Sequence, residues 1–457
     1  MESRQYMPTS AKRWARPKEW LSDIAIGLSL LLTSVSLFGQ SFPQSWVNLG
    51  LGHGSRALAM SGAFVAVADD ISAVCYNPAG LAQLSRPEFQ LSAAFSGQTY
   101  QAPGFADESV SYSSRDYGFT DRTFDFLGVA APVTIGRRAI VAGLSYRREF
   151  SYHASYSYVL EHSYVFGYPS PEGHNELVVE PDIDNHGGVD IVTLSLATRI
   201  VKGLYFGINT NVWSGRAGLH YLAQESGIRF EDGLEIRRWS GLTNEDSVFD
   251  LKTAVGWDLG ILWRISVFSV GLTVRPRFRI VYKERSFYEH RVVYSDGFES
   301  EYMESYEFRS AHEGPSGVSF GTSVRPTNNL TFACDYTSLE TESVITYYEN
   351  RTIRAGCEYK AKIKKLSIPL RAGGFLKWGR PEYGSPRQKV FPGFSFGTGL
   401  HTGSFGLDLA VFYHSWRMDY PDYLRTPPTR MPSWGLSLSI KRSLGRARAG
   451  ADLRLRQ

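Results

Sequence analysis

Cysteine is scarce in this chain of 457 residues, which has only Cys75, Cys334 and Cys357. An odd count without metal-type spacing supplies neither a disulfide framework nor a zinc site, and such scarcity fits export to an oxidising compartment. Excess charge is missing as well: the net charge is +4, so composition gives no footprint for nucleic acid. Long apolar runs are the third absence. The one continuous stretch, Ile24 to Phe38, is about fifteen residues, short of the ~20 that a membrane-spanning helix needs. A helical membrane protein is thereby disfavoured.

That stretch follows Arg4, Lys12, Arg13, Arg16 and Lys18 and precedes Gly39, Gln40 and Ser41, the layout of a secretory signal over residues 1–40. The basic region is long and contains Glu2, Glu19 and Asp23, so a lipid-facing anchor stands as the alternative. Enzyme signatures such as His-Glu-x-x-His and the phosphate loop are lacking, and the chain reads as a non-enzyme without metal or cofactor. His153, His162, His174 and His186 fall in expected loops as solvated groups. Among the loop aromatics, Tyr152, Tyr156, Tyr158, Tyr164 and Tyr168 would line a capture groove or gird the membrane interface.

What the chain has is alternation. Val255, Trp257, Leu259, Ile261, Trp263 and Ile265 are separated by Gly256, Asp258, Gly260, Leu262 and Arg264. After a tight turn Phe268, Val270, Leu272 and Val274 alternate with Ser269, Gly271, Thr273 and Arg275. An outward Trp beside an inward Asp fits a wall between lipid and a wet lumen. Such strands are expected near 88–97, 122–133, 138–150, 189–200, 203–214, 251–265, 267–281, 316–325, 330–337, 351–360, 366–378, 392–401, 404–415 and 433–441, about fourteen in all. Short connections at 136–137, 201–202, 266, 326–329, 361–365 and 402–403 alternate with long polar ones at 98–121, 151–188, 215–249, 282–315, 337–350, 379–391 and 416–432. That pattern is the mark of an all-β, antiparallel transmembrane barrel with periplasmic turns and extracellular loops. Its sheet must close, because unpaired backbone groups in hydrocarbon cost several kcal/mol each.

A barrel this wide needs a plug or an open channel, and residues 41–87 are the candidate hatch, with 88–441 as the barrel. The hatch is rich in Gly and Ala for close approach to the wall. Asp69, Asp70 and Gly62 are expected to shape its turns. On the lumenal face Arg199, Arg264, Arg275, Arg354, Arg371 and Lys377 accompany Asp190, Asp258, Glu358 and Asp408. These groups are candidates for a ligand carboxylate or for ion pairs between wall and hatch. Cys334 and Cys357 share the apolar face of an expected hairpin, which leaves a disulfide open beside the preferred reading of small lipid-facing residues.

The segment Gly54-x-Arg56-Ala57-x-x-x-Ser61-Gly62, Ala68-Asp69-Asp70, Asn77-Pro78-Ala79 and Arg86-Pro87-x-Phe89 resembles the start of the FadL/TodX family of outer-membrane transport proteins. The resemblance implies a fourteen-stranded barrel with an N-terminal hatch, passive uptake of hydrophobic compounds such as long-chain fatty acids, and outer-membrane lipids as surroundings. It also implies a hinge at Asn77, Pro78 and Ala79 and a lateral exit beside a kinked strand; the second hairpin, with Pro132 and Gly136, is the expected place for irregular pairing. PorV-like proteins, partners in type IX secretion, share the signature, so a secretion partner is the alternative function and a barrel without transported substrate the second. The chain departs from the usual outer-membrane pattern at its end, where residues 442–457 form a basic tail without a terminal aromatic, readable as a tail or as the closing strand.

Overall fold

The computed structural model describes residues 52–444 apart from 103–104, 107–110, 113–114, 136–137, 158, 167–172, 232–233, 343–346, 380–388 and 419–428. The expected signal, the first part of the hatch and the tail from 445 onward lie outside the described residues. Residues 52–87 hold two single-turn helices, α1 (Ser55–Leu58) and α2 (Ala73–Tyr76), and a 3-10 helix, Pro78–Gln83. Strands then run to the end: β1 (Glu88–Ala102), β2 (Phe105–Ala106), β3 (Ser111–Tyr112), β4 (Arg115–Ile135), β5 (Arg138–Ser151), β6 (Ala154–Ser157) and β7 (Leu160–Phe166). Next come β8 (Gly173–Val201), β9 (Leu204–Glu231), β10 (Leu234–Ile265), β11 (Phe268–Arg275), β12 (Arg279–Tyr294) and β13 (Glu299–Glu313). The last seven are β14 (Ser316–Thr327), β15 (Leu330–Glu342), β16 (Tyr347–Ile363), β17 (Leu366–Gly379), β18 (Lys389–Thr402), β19 (Phe405–Met418) and β20 (Thr429–Ser443).

Fourteen of these make the wall: β1, β4, β5, β8 to β11 and β14 to β20, each antiparallel to the next. The ring closes because β1 pairs with β20, from Glu88↔Ser443 to Gln101↔Arg430. The exposure of the side chains follows the alternation: Val255, Trp257, Leu259, Ile261 and Trp263 are 37–53% exposed on the outside. Between them Ala254, Gly256, Asp258, Gly260 and Leu262 are buried toward the lumen. No helix among the described residues is long and apolar enough to cross a membrane, so the strands do the crossing. Two-residue turns such as Lys202–Gly203 and Gly403–Ser404 mark one rim, with Gly203 and Gly403 at positive φ as tight hairpins of this kind require.

Several expectations are corrected. The stretches 151–188, 215–249 and 282–315 are in large part strand: β8, β9 and β10 run 29, 28 and 32 residues, and β12 and β13 add a hairpin. They bury a small cluster of Leu177, Val179, Ala223, Trp239 and Val292, but polar groups on both faces blur the period-two contrast although the ladder continues. The strand expected over 267–281 stops at Arg275, because Pro276 has no N–H for the ladder. His162, His174 and His186 lie in β7 and β8, and His153 in the bend after β5. Pro132 pairs regularly with Val141; Gly136, Tyr158 and Tyr168 lie outside the described residues. Cys334 and Cys357 are free thiols, opposite Ala355 and Phe332. Two Gly-x-Ser-x-Gly strings, Gly317–Gly321 and Gly393–Gly397, lie inside β14 and β18, in straight ladders that make no nucleophile elbow.

Candidate functional site

Residues 52–84 fill the lumen at the level of three pairs of facing wall glycines: Gly207↔Gly260, Gly271↔Gly321 and Gly356↔Gly373. Each pair makes a shallow dent in which hatch backbone sits. A Cβ on Gly207 would stand 2.3 Å from the Pro78 carbonyl carbon, and one on Gly260 2.3 Å from Asn77 Oδ1. At the second dent a Cβ on Gly271 would meet Val65 O at 2.4 Å, and at the third Gly373 would meet Met60 C at 2.4 Å. No side chain fits between wall and hatch at these points. Ala57, Ala63, Phe64, Ala68, Ile71 and Leu81 are 0% exposed and pack against wall residues Phe126, Ala130, Val141, Ala197 and Ala333.

Asn77 ties the first dent together. Its Nδ2 donates to Val65 O and to Ile261 O of β10, both at 3.0 Å, while Oδ1 accepts from Ala79 N at 3.1 Å. It thus caps the 3-10 helix, whose first residue is Pro78, a position that needs no N–H. At the second dent Asp335 Oδ2 of β15 accepts from Phe64 N and Val65 N, at 2.6 and 2.8 Å.

Charges lock the opposite side of the hatch. Arg56 donates to Asp69 at 2.5 Å, to Asp70 at 3.0 Å and in a fork to Glu358 of β16 at 2.9 and 3.0 Å. Glu358 is shared with Arg371 of β17, which also reaches Asp408 of β19 at 2.6 Å. Arg325 of β14 holds Asp69 at 2.9 Å, and Lys441 of β20 stands 3.5 Å from Asp70. Burial opposes ionisation of Asp69, yet Arg56 and Arg325 hold its carboxyl well below the usual range. Asp70 is lowered likewise, by Lys441 and Arg56 against its burial. A buried cation with three carboxylates around it is stable only as a complete set.

The front of the hatch is held differently. His53 Nδ1 donates to Asp125 Oδ1 at 2.5 Å, Gly54 N to Asp125 Oδ2 at 3.2 Å, and His53 Nε2 lies 3.7 Å from Glu149, which Arg147 holds at 2.8 Å. Burial disfavours the imidazolium, but Asp125 and Glu149 outweigh it and raise His53 to about 9. Both carboxylates are bulge residues. Asp125 is the residue skipped where the β1–β4 register shifts, and Glu149 the one skipped between β5 and β8. They flank a seam: the β4–β5 ladder ends at Phe126↔Arg147, while β4 continues along β1 and β5 along β8. From Ile135 up to Phe126 is nine steps of strand, about 30 Å, or about 23 Å of height at a tilt near 40°. The β4–β5 ladder therefore ends at the outer border of the apolar band, where β6 comes alongside β4 and unpaired backbone is tolerable.

An apolar lining starts at the seam and follows the inner face of the wall from β5 to β12. Phe150 of β5, Val189 and Ile191 of β8, Trp213 of β9, Leu251 and Ala254 of β10 and Ile280 of β12 form one cluster, with Tyr152, Phe278 and Tyr282 packed on it. Phe278, set inward where Pro276 ends β11, stacks on Trp213 with ring centroids 5.3 Å apart. Directly beneath lies a polar row: Arg275 donates to Asp258 at 2.7 Å, as does Asn211 at 2.8 Å, and Asn209 donates to Val74 O of the hatch at 2.8 Å.

The sequence-based candidates thus divide. Arg275, Asp258, Arg371 and Asp408 belong to these networks, and Arg264 reaches Gln83 of the hatch at 3.1 Å from the rim. Arg354, bonded to Thr337 at 2.9 Å, and Lys377 stand on the adjoining strands β16 and β17. Arg199 is not brought to the site; it is exposed at the foot of β8. Gly62 takes a φ of 77° in the turn after α1. His53, Asp125, Glu149 and the wall glycines were missed. The glycines were visible as inward members of alternating strands, but their common height depends on register. No group of three or more His, Cys, Asp or Glu among the described residues could hold a metal ion.

No protein-family model and no curated protein matches the sequence. Solved structures do. A FadL homologue of Pseudomonas aeruginosa superposes with a TM-score of 0.52 at 12% identity, over 87% of this chain and 98% of that one. The Pseudomonas putida toluene transporter TodX gives 0.54 at 12% identity, over 87% and 100%, and the CymD monoaromatic hydrocarbon channel 0.51 at 13%, over 87% and 99%. The chain has the fold of FadL/TodX-type channels.

Proposed function

We propose, on that shared fold, that the chain is an outer-membrane channel through which hydrophobic small molecules, long-chain fatty acids among them, enter by diffusion and leave sideways at the β4–β5 seam. The observation that carries this reading is the apolar lining from Phe150 to Ile280, which begins beside the seam. Apolar cargo passing along it stays out of water, and a sideways exit spares it the polar side of the membrane. The closed state has the hatch seated and the lining packed on itself. Opening would pivot the hatch about Asn77, Pro78 and Ala79, fixed in the first dent, while the His53 end leaves Asp125. Arg354 and Lys377, side by side, would meet a carboxylate head group.

Uptake of radiolabelled oleate and of toluene by cells lacking the chain, with and without it restored, tests the reading. Both compounds should enter only with the chain present, and a double substitution, Arg354→Ala with Lys377→Ala, should slow oleate more than toluene. Equal uptake in its absence would overturn the proposal. Loss of exported proteins with uptake intact would replace it with a secretion partner.

A further inference from the structure

The hairpin of β12 and β13 continues the outward extension of β10, and β13 is its last strand. β13 pairs with β12 from Arg279↔Glu313 to Val293↔Glu299 without a single register shift. β14, next in the chain, is taken on both sides by β11 and β15, so among the described residues the second side of β13 has no ladder. Fifteen residues make an edge of about 50 Å. Natural edge strands are blunted by shortness, charge, proline or a bulge; β13, ESEYMESYEFRSAHE, is long, unbulged and free of proline and lysine, and is protected by its carboxylates alone. Tyr302, Met303, Tyr306 and Phe308 are 40–53% exposed along it.

The charge on this edge narrows what it can accept. Glu299, Glu301, Glu304, Glu307 and Glu313 face a single cation, Arg309. Arg291 and Lys283 of β12 take Glu299 and Glu307, while Glu301 and Glu304 have no cationic partner among the described residues. Rows of like charge oppose pairing with a second copy of the same strand. An incoming strand carrying lysine or arginine would meet both the open backbone groups and these carboxylates.

We propose that the free edge of β13 is a docking strand that accepts an extended basic segment of another polypeptide as an added β-strand. The test uses the full chain in detergent micelles and a fluorescein-labelled peptide of twelve residues alternating Lys with Val and Thr, read by fluorescence anisotropy. The peptide should bind with a Kd of about 10 µM and weaken as salt rises. Its alternately N-methylated twin, which keeps the charge but cannot join a ladder, should bind at least about tenfold more weakly. The double variant E301K/E304K should lose a similar factor while keeping the heat-modifiable gel mobility of a folded barrel. Absence of binding, equal binding of the N-methylated peptide or unchanged affinity in the variant would each overturn the proposal, as would dimers of the chain that the variant abolishes.

Discussion

The hatch seat and the outward extension are built by the same strands under opposite rules. In β10, residues Ala254 to Ile265 alternate glycine or charge inside with Trp and Ile outside, and Gly260 holds Asn77 in its dent. In the same strand, Leu234 to Leu251 carry polar groups on both faces and pair with β9 and β12 well above the hatch. The seat is a place where nothing larger than hydrogen fits at the dents and where Arg56 is shared among three carboxylates. The extension is exposed over much of its surface and buries only a small cluster around Trp239. Conformational change is therefore expensive at the dents, cheaper at the single histidine contact, and nearly free of consequence at the hairpin.

Breaking a dent should have the largest effect. Gly260→Val places methyl groups within the space of Asn77 and Pro78, and overpacking of this kind costs about 1–3 kcal/mol or more. The native Cys75 is the reporter, with Cys334 and Cys357 replaced by Ser. Burial pushes its thiol up to about 12, so a seated hatch should react slowly with maleimide at pH 8. In Gly260→Val labelling should become fast; labelling at the parental rate would show that the dents do not fix the hatch.

Removing the shared cation comes next. Arg56→Met leaves Asp69, Asp70 and Glu358 buried around an empty centre, a loss of about 3–5 kcal/mol by comparison with broken buried pairs. Cys75 labelling should rise and the barrel should admit large antibiotics. Glu358→Gln keeps Arg56 with two carboxylates and should do less. Equal effects from both would mean that the network acts through Glu358 alone.

The barrel half of this architecture was legible and the extension was not, for a reason that β10 displays. Lipid outside and a wet lumen inside force contrast between odd and even residues, as in Trp257 and Asp258, so all fourteen wall strands declare themselves. Water on both sides forces none, and β12 and β13 read as loop. Within the site, Arg56 and Asn77-Pro78 were picked out by the family resemblance. Asp125 and Glu149 became bulges only through the registers of β1 with β4 and β5 with β8, and register is a property of pairing, which no single strand encodes.

The histidine contact gives a pH prediction. His53 is raised to about 9 from its ordinary 6.5, so its contribution is fully present below about 6.5 and fades as pH rises through about 9. Labelling of Cys75, corrected for thiol ionisation, should quicken between pH 8 and 10 in the parent. In His53→Gln it should already be fast at pH 7 and follow no such step. A step that survives the substitution would assign the transition to another group.

The smallest effect belongs to the hairpin. Arg291–Glu299 at 3.2 Å joins two side chains more than half exposed, and such pairs contribute about 0.2–1 kcal/mol. Arg291→Ala should therefore leave the thermal unfolding of the barrel and the labelling of Cys75 unchanged. Replacing 279–313 by a short turn between Phe278 and Gly314 goes further, because it removes a whole strand pair that touches neither dent nor Arg56. Cys75 labelling should still match the parent, since the wall closes through β11 and β14 below the hairpin, even though losing Ile280 and Val292 from their clusters lowers the unfolding temperature. Fast labelling would mean that the extension braces the seat, and the division between the two regions would fall.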